Sequence, residues 1–202
     1  MASTNFTPSD EFLMGRWSDA TELIRQADEL RSKLAEFYSE VARAFLVEDP
    51  RFDLSRHMQA GNGSLGVGRR DWPATSNTNF VGLWLERIDL DSLVSDEALA
   101  PFAGIWLKPA APSPAALEQA IARVQAAATS ALNASERLEM ITEFPRAYRG
   151  YALGFEFLSK REVLRLLSTG QTPVLREHIL NAFRRLSKFT DVLNETLSVK
   201  LA

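Results

Sequence analysis

A single long amphipathic stretch, Ser18 to Val47, constrains most strongly what this chain can fold into. Its apolar residues recur at heptad spacing in three adjoining rows, which predicts one α-helix with a broad apolar face and a charged face opposite. The rows are Leu13, Ala20, Ala27, Leu34 and Val41; Leu23, Leu30, Phe37 and Ala44; and Trp17, Ile24, Tyr38 and Phe45, with Arg31 as an interruption. So wide a stripe is typical of a helix that packs on a core and touches more than one neighbour, and a coiled-coil dimer is the alternative.

The length of this helix favours a partner along its apolar face. A helix over this stretch spans about 45 Å, whereas a compact chain of 202 residues has a radius of gyration of about 16–17 Å. The helix would therefore cross the domain or project from it, and either case invites a partner for its apolar face: another long helix of this chain or a second copy. Gly15 predicts a break or kink between this helix and an extension that Thr7 and Pro8 would start.

Composition excludes several classes of protein. The chain is 46% hydrophobic and 24% charged, which suits a folded core. No apolar run approaches the ~20 residues of a membrane span, and the first five residues lack the basic and apolar segments of a secretory signal, so we expect a cytoplasmic protein without membrane contact. The absence of cysteine excludes disulfides and thiolate chemistry. A net charge of −3 disfavours binding driven by attraction to nucleic acid.

Turn residues and apolar periodicity divide one domain, residues 1–202, into five regions. We predict helices over 1–49, mostly β-structure over 50–109, helices over 113–144, a strand over 148–158 and helices over 159–202. The predicted fold class is α+β, with an antiparallel sheet of about four strands packed against long N- and C-terminal amphipathic helices.

Two details of this prediction can be checked directly. Alternation along the last strand puts Tyr151, Leu153 and Phe155 on one face, and small residues such as Gly154 on the other, where another group can pack closely. The last helix is predicted to run from Thr172 for about 28 residues, or ~42 Å, and to pack beside the first long helix because their charge biases are opposite.

A glycine-rich loop with a basic pair is the first candidate binding site. Its members, between His57 and Trp72, are Gly61, Gly63, Gly66, Gly68, Arg69 and Arg70. Backbone N–H groups in such a loop can hold phosphate. The spacing matches neither the P-loop nor the dinucleotide fingerprint, and a flexible hairpin with solvated arginines is the alternative.

Aromatic and arginine side chains near the predicted sheet form the second candidate. Trp72 precedes a proline in a loop and is expected to be exposed, and tryptophan, tyrosine and arginine commonly carry binding energy at interfaces. The alternative is that the tryptophans, Trp84 and Trp106 above all, fill the core. The residues predicted to bind a partner or ligand are His57, Arg69, Arg70, Trp72, Arg146 and Arg149.

A third candidate, a metal-dependent nuclease site, has weaker support. The set is Glu86, Asp89, Asp91 and Glu156 with Lys108. Carboxylates and a lysine on neighbouring strands can bind Mg²⁺ and orient water, but the position two residues before the lysine, where an acid belongs, is Trp106. The two histidines, His57 and His178, lack metal-site spacing. We predict no catalytic residue, no metal site and no cofactor.

These patterns favour an intracellular, non-enzymatic binding or regulatory protein. It would act through protein–protein association, with a protein partner or as a homo-oligomer. Two alternatives remain: a nucleic-acid-binding protein or degenerate metal-dependent nuclease, and a small-ligand-binding domain with its pocket between sheet and helices.

Overall fold

The computed structural model describes residues 7–54, 64–69, 72, 81–107 and 114–198. Its elements are α1 (Pro8–Gly15), α2 (Trp17–Glu48), β1 (Phe52–Leu54), β2 (Ser64–Arg69), β3 (Val81–Glu86), α3 (Leu90–Val94), β4 (Phe102–Leu107), α4 (Pro114–Ala131), α5 (Ala134–Leu138), β5 (Met140–Ile141), β6 (Tyr151–Glu156), α6 (Lys160–Ser168), α7 (Thr172–Ser187) and α8 (Thr190–Ser198), with a 3₁₀ helix at Arg146–Tyr148. The predicted α+β class, the unbroken long helix and the break after Gly15 are confirmed.

The strands of the described residues form one antiparallel sheet in the order β1-β2-β3-β4-β6-β5. The four predicted strands correspond to β2, β3, β4 and β6, and the short β1 and β5 bring the sheet to six strands. After β4 the chain passes through α4 and α5, forms the edge strand β5, and returns as β6 between β4 and β5.

The first face of the sheet carries the hydrophobic core, and α2, α4 and α7 pack against the sheet there. Leu83, Ile105 and Leu153 have no exposed surface. Phe45 of α2 stacks on Phe183 of α7 with ring centroids 5.0 Å apart. The predicted pairing of the first and last long helices is therefore confirmed.

The prediction of a single last helix is wrong, because the chain breaks between α7 and α8. The backbone N–H of Phe189 donates to the carbonyl of Leu186 at 3.1 Å, which tightens the end of α7. Thr190 Oγ1 then donates to the carbonyl of Ser187 at 2.9 Å. The tighter turn brings Phe189 into the core, where it is 1% exposed.

A shorter helix was also misplaced by the sequence pattern. The helical region predicted over 113–144 ends too late, since its last helix, α5, runs from Ala134 to Leu138. Asn133 caps α5, because its side chain accepts from the backbone of Glu136 while the Glu136 side chain accepts from the backbone of Asn133. This reciprocal capping fixes the start of α5 before Ser135.

The second face of the sheet is covered by aromatic rings that lie over glycines. A Cβ atom built on Gly66 would stand 2.6 Å from the Trp84 ring, and one on Gly104 would stand 2.7 Å from the Tyr151 ring. Gly150 lies under Trp106 in the same way, and Gly154 lies under Phe102 and Phe144. The expectation that Gly154 leaves room for close packing is therefore confirmed.

A β-bulge reverses the predicted direction of Tyr151. Ile105 pairs with Leu153, yet the next residue of β4, Trp106, pairs with Tyr151, so β6 has one extra residue at this point. The Tyr151 ring therefore joins Phe102 and Trp106 on the second face, at centroid distances of 5.1 and 4.9 Å. The prediction that Tyr151 shares a face with Leu153 is wrong, because the bulge breaks the alternation.

Gly104→Ala is expected to lower the free energy of unfolding by about 1–3 kcal/mol, because overpacking strains a filled interior. The new Cβ would meet the Tyr151 ring and also stand 3.0 Å from the Leu153 carbonyl oxygen, which is backbone and cannot rotate away. Gly15→Ala is the matched control. It has nothing within 4 Å and should be neutral or stabilising by up to ~1 kcal/mol. Urea unfolding of both variants tests this, and equal effects would contradict it.

Candidate functional site

The outer half of α2, defined here as Trp17 to Lys33, is the part of the helix that the domain does not cover. Every buried residue of α2 lies at or after Leu34, and every residue before it is exposed or half-buried. This outer half spans about 26 Å. The helix therefore docks by its C-terminal half and presents the rest of its length to solvent.

The apolar stripe continues along the outer half without a cover among the described residues. Trp17 is 65% exposed, Leu23 66%, Ile24 59% and Leu30 44%. Single exposed apolar residues are common, but several contiguous ones mark an interaction surface. These four side chains, called the outer stripe below, lie on the same side of α2 as the buried Leu34, Tyr38 and Phe45.

Ion pairs hold the charged side chains of the outer half against their own helix. Arg25 pairs with Glu22 at 2.6 Å and also with Glu29, while Arg31 pairs with Asp28 at 2.8 Å. Each such exposed pair contributes only a few tenths of a kcal/mol. The Arg25 pairs keep those charges away from the outer stripe, whereas Arg31 lies in the same row as Trp17 and Ile24 and follows the stripe at its C-terminal end.

A crevice of about 100 Å³ lies where α2 joins the domain, lined among others by Tyr38, Ser64 and Asp89. Tyr38 is 2% exposed, and its hydroxyl has no hydrogen-bond partner among the described residues. Burial, helped by the Asp89 carboxylate, raises the pKa of Tyr38, so this hydroxyl stays protonated. Ligand pockets are commonly ~300–1,000 Å³, so the crevice suits a small group rather than a metabolite.

Tyr38→Phe is expected to raise the free energy of unfolding by up to ~1 kcal/mol, because a buried hydroxyl without a partner costs free energy that phenylalanine avoids. Tyr151→Phe is the matched control. It removes a buried hydroxyl that donates to Glu86 Oε1, and it should lower stability by about 1–3 kcal/mol. Guanidinium unfolding measures both changes, and a destabilising Tyr38→Phe would contradict the first.

A second cluster of polar residues lies at the end of β3 on the aromatic face. Glu86 accepts a hydrogen bond from the Tyr151 hydroxyl. Burial raises the pKa of Glu86 to about 7, and the hydrogen bond from Tyr151 limits that rise. Burial and the Glu86 carboxylate raise the pKa of Tyr151 in turn. Near neutral pH, Glu86 is thus a carboxyl group divided between its two protonation states.

The next residue, Arg87, adopts a backbone conformation that non-glycine residues rarely take, with φ of 60°. Its guanidinium is buried and pairs with Glu97, while it also donates to Ser95 Oγ at 3.1 Å and to the Tyr148 hydroxyl at 3.4 Å. These contacts stabilise the strained backbone by tying β3 to the chain after α3.

Lys160 holds the same segment from the other side. Its Nζ donates to the carbonyl oxygens of Ser95 at 2.9 Å and Glu97 at 2.6 Å. Arg87 and Lys160 therefore share Ser95 and Glu97 as partners. Apart from the buried Nε of Arg87, which has no hydrogen-bond partner among the described residues, the cluster is internally paired and fixes the turn between α3 and β4.

Two of the predicted binding residues lie against α8 instead of on an open surface. The prediction that Trp72 is exposed is wrong: it is 6% exposed, its Nε1 donates to Asn194 Oδ1 at 2.6 Å, and its ring contacts Phe52. Arg69 pairs with Asp191 at 3.6 Å. Both side chains connect the β2 region to α8 on the first face of the sheet.

The other predicted binding residues do not join Trp72 and Arg69 beside α8. Arg146 and Arg149 are exposed beside Tyr148, whose ring packs on Phe102 of the second face. The sheet therefore separates them from Trp72. His57 and Arg70 lie outside the described residues.

The proposed nuclease carboxylates serve separate structural tasks. Glu86 bonds to Tyr151, Asp89 caps α3 by accepting from Ser92 N at 2.9 Å, and Asp91 pairs with Arg31 at 3.2 Å. Glu156 is exposed, and Lys108 lies outside the described residues. Among the residues that the structure describes, no group of three or more histidine or acidic side chains is placed to hold a metal ion.

Sequence reasoning missed Arg87, because nothing in its sequence context signals a positive φ. Glu86 was selected, but for metal binding, and its contact with Tyr151 depends on the bulge. The outer stripe had a clear signal in its heptad rows, although periodicity alone does not tell which part of a stripe stays uncovered.

Comparison of the chain with protein families, curated proteins and solved structures returned no match in any of the three. No helix in the described part of the chain is long and apolar enough to cross a membrane.

Proposed function

We propose that this chain is a non-enzymatic binding protein that acts through protein–protein association, and that the outer stripe of α2 is its binding surface. The observation that carries the proposal is the exposure of Trp17, Leu23, Ile24 and Leu30 on one side of a helix whose other half is anchored in the core. A cytoplasmic location stays a prediction of the sequence.

The anchoring of α2 supports this function. Phe45 and Phe183 join the docked half to α7, and Arg184 pairs with Glu48 at 2.9 Å near its end. A helix held at one end presents its free apolar face in a fixed direction, which lowers the ordering cost of binding. Tryptophan at the outer end also matches the residue type that most often dominates interface energetics.

The alternative of nucleic-acid binding has less support. The outer half of α2 carries four acidic and three basic side chains, so it offers no positive face to phosphates. Arg184 and Arg185, which could contact phosphate, are paired with Glu48 and Glu139. The exposed surface of α2 that still lacks a partner is therefore apolar and not positively charged.

Site-specific photo-cross-linking in cells of the source organism tests the proposal. A photoreactive phenylalanine analogue at Leu23 should give a discrete covalent adduct after illumination, because that side chain belongs to the interface. The same analogue at Gln26, which is exposed on the polar side of the same helix, should give none. If neither Leu23 nor Ile24 forms an adduct, or if Gln26 forms the same one, the proposed function is overturned.

A further inference from the structure

From the side-chain sizes and charges along the outer half of α2, we infer that the partner is a second copy of this chain, paired with it in antiparallel orientation. This inference rests on the proposed function, because it names the occupant of the same outer stripe. A two-fold axis near residue 22 would bring the two helices together, so that Trp17, Leu23 and Ile24 of each outer stripe are covered by the other copy.

Large and small residues alternate along the seam in a way that suits this pairing. The seam positions of the outer half are Trp17, Ala20, Ile24, Ala27 and Arg31, and the first four form the paired segment. An antiparallel pair places Trp17 against Ala27 of the second copy and Ala20 against its Ile24. Each layer then combines one large and one small side chain, which is how interdigitating layers fill space.

The parallel alternative fits the same residues badly. Parallel pairing would put Trp17 on Trp17 and Ala20 on Ala20, so that crowded layers would alternate with empty ones. It would also place Arg31 against Arg31 of the second copy, with like charges in one layer. In the antiparallel pair, Leu23 meets Leu23 of the second copy beside the axis, where both are otherwise exposed.

The rest of the molecule is compatible with this register. Leu34 is already buried in its own domain, so the pairing cannot slide further along α2. The break between α1 and α2 falls beyond Trp17, where the paired segment ends. In this register the two domains are attached at opposite ends of the pair. The outer half has a net charge of −1, which gives little repulsion between copies.

The oligomeric state and one matched pair of variants give the first test. Light scattering after size-exclusion chromatography should show a mass approaching twice 22.5 kDa at tens of micromolar, since so short a contact is smaller than a standard interface. Ile24→Glu should raise the dissociation constant of the dimer at least ~100-fold, because the variant would bury a charge in the seam. Ser18→Glu adds the same charge on the polar side and should leave the dimer intact.

Spin labels define the orientation, and the lack of native cysteine makes single labels straightforward. With the axis near residue 22, labels at Lys33→Cys of the two copies should lie about 33 Å apart along the helices. Labels at Glu22→Cys should lie within about 20 Å. A parallel pair would give short distances at both positions, and that result would overturn the inference.

The outcomes separate this inference from the function on which it rests. A wild-type chain that stays monomeric at about 500 µM, roughly ten times the expected range, overturns self-association. If the Leu23 adduct in cells then has a mass other than twice that of the chain, the binding function stands and the occupant is a different protein. If no adduct forms either, both proposals fail.

Discussion

Phe45→Ala is expected to lower the free energy of unfolding by about 3–5 kcal/mol, the range for deleting a fully buried aromatic ring. Phe45 is 1% exposed. Its ring stacks on Phe183 at 5.0 Å and lies 5.2 Å from Phe52, so one side chain joins α2 to α7 and to β1. The cavity left by alanine would loosen the anchor of the projecting helix.

Leu23→Ala is the control in the same helix, measured well below the concentration at which the chain associates. Leu23 is 66% exposed, so this change should alter stability by no more than about 0.5 kcal/mol. Urea unfolding followed by circular dichroism measures both variants. Similar losses from the two variants would mean that the outer half of α2 is part of the cooperative fold, contrary to its exposure.

The predictable parts of the fold are those fixed by local sequence. Heptad rows define α2 because helical periodicity needs only residues within a few turns. Gly15 marks the break after α1. Gly170 ends α6 with φ of 70°, a conformation that costs glycine little. Each of these features depends on its immediate neighbours in the chain.

The features that sequence reasoning missed depend on contacts between distant segments. The bulge at Tyr151 lies where β6 pairs with β4, and it places the Tyr151 ring over Gly104 of that strand. The break before Thr190 brings Phe189 into a core formed by other elements. Trp72 packs in the core against Phe52, and Asn194, far away in the sequence, accepts its N–H. No local pattern contains these partners.

One part of the candidate site can be predicted from local sequence, and another part depends on the assembled fold. The apolar rows predict a surface that needs a partner, and heptad positions also supply the large and small residues of the proposed pairing. Which half of the stripe stays open depends on where the domain ends, and that is set by the burial of Leu34. The contacts of Glu86 with Tyr151 and of Arg87 with Glu97 required the assembled sheet.

The stability of the protein is expected to fall between about pH 5 and about pH 8 because of Glu86, by roughly 2–3 kcal/mol. Burial raises the pKa of Glu86 from 4.5 to about 7 in the folded chain, so folding favours the protonated form. That contribution is fully present below the unfolded value and is lost as the pH rises through the folded one. Glu86→Gln keeps an acceptor for the Tyr151 hydroxyl but cannot ionise.

The measurement is the difference in free energy of unfolding between Glu86→Gln and the wild type across this range of pH. As the pH rises, the glutamine variant should gain stability relative to the wild type. Only the wild type must bury a charge in the alkaline part of the range. Glu156→Gln is the control: Glu156 is exposed on a neighbouring strand, so its difference from the wild type should stay constant. A constant difference for Glu86→Gln as well would mean that Glu86 is solvated in the folded protein, contrary to its burial beside Tyr151.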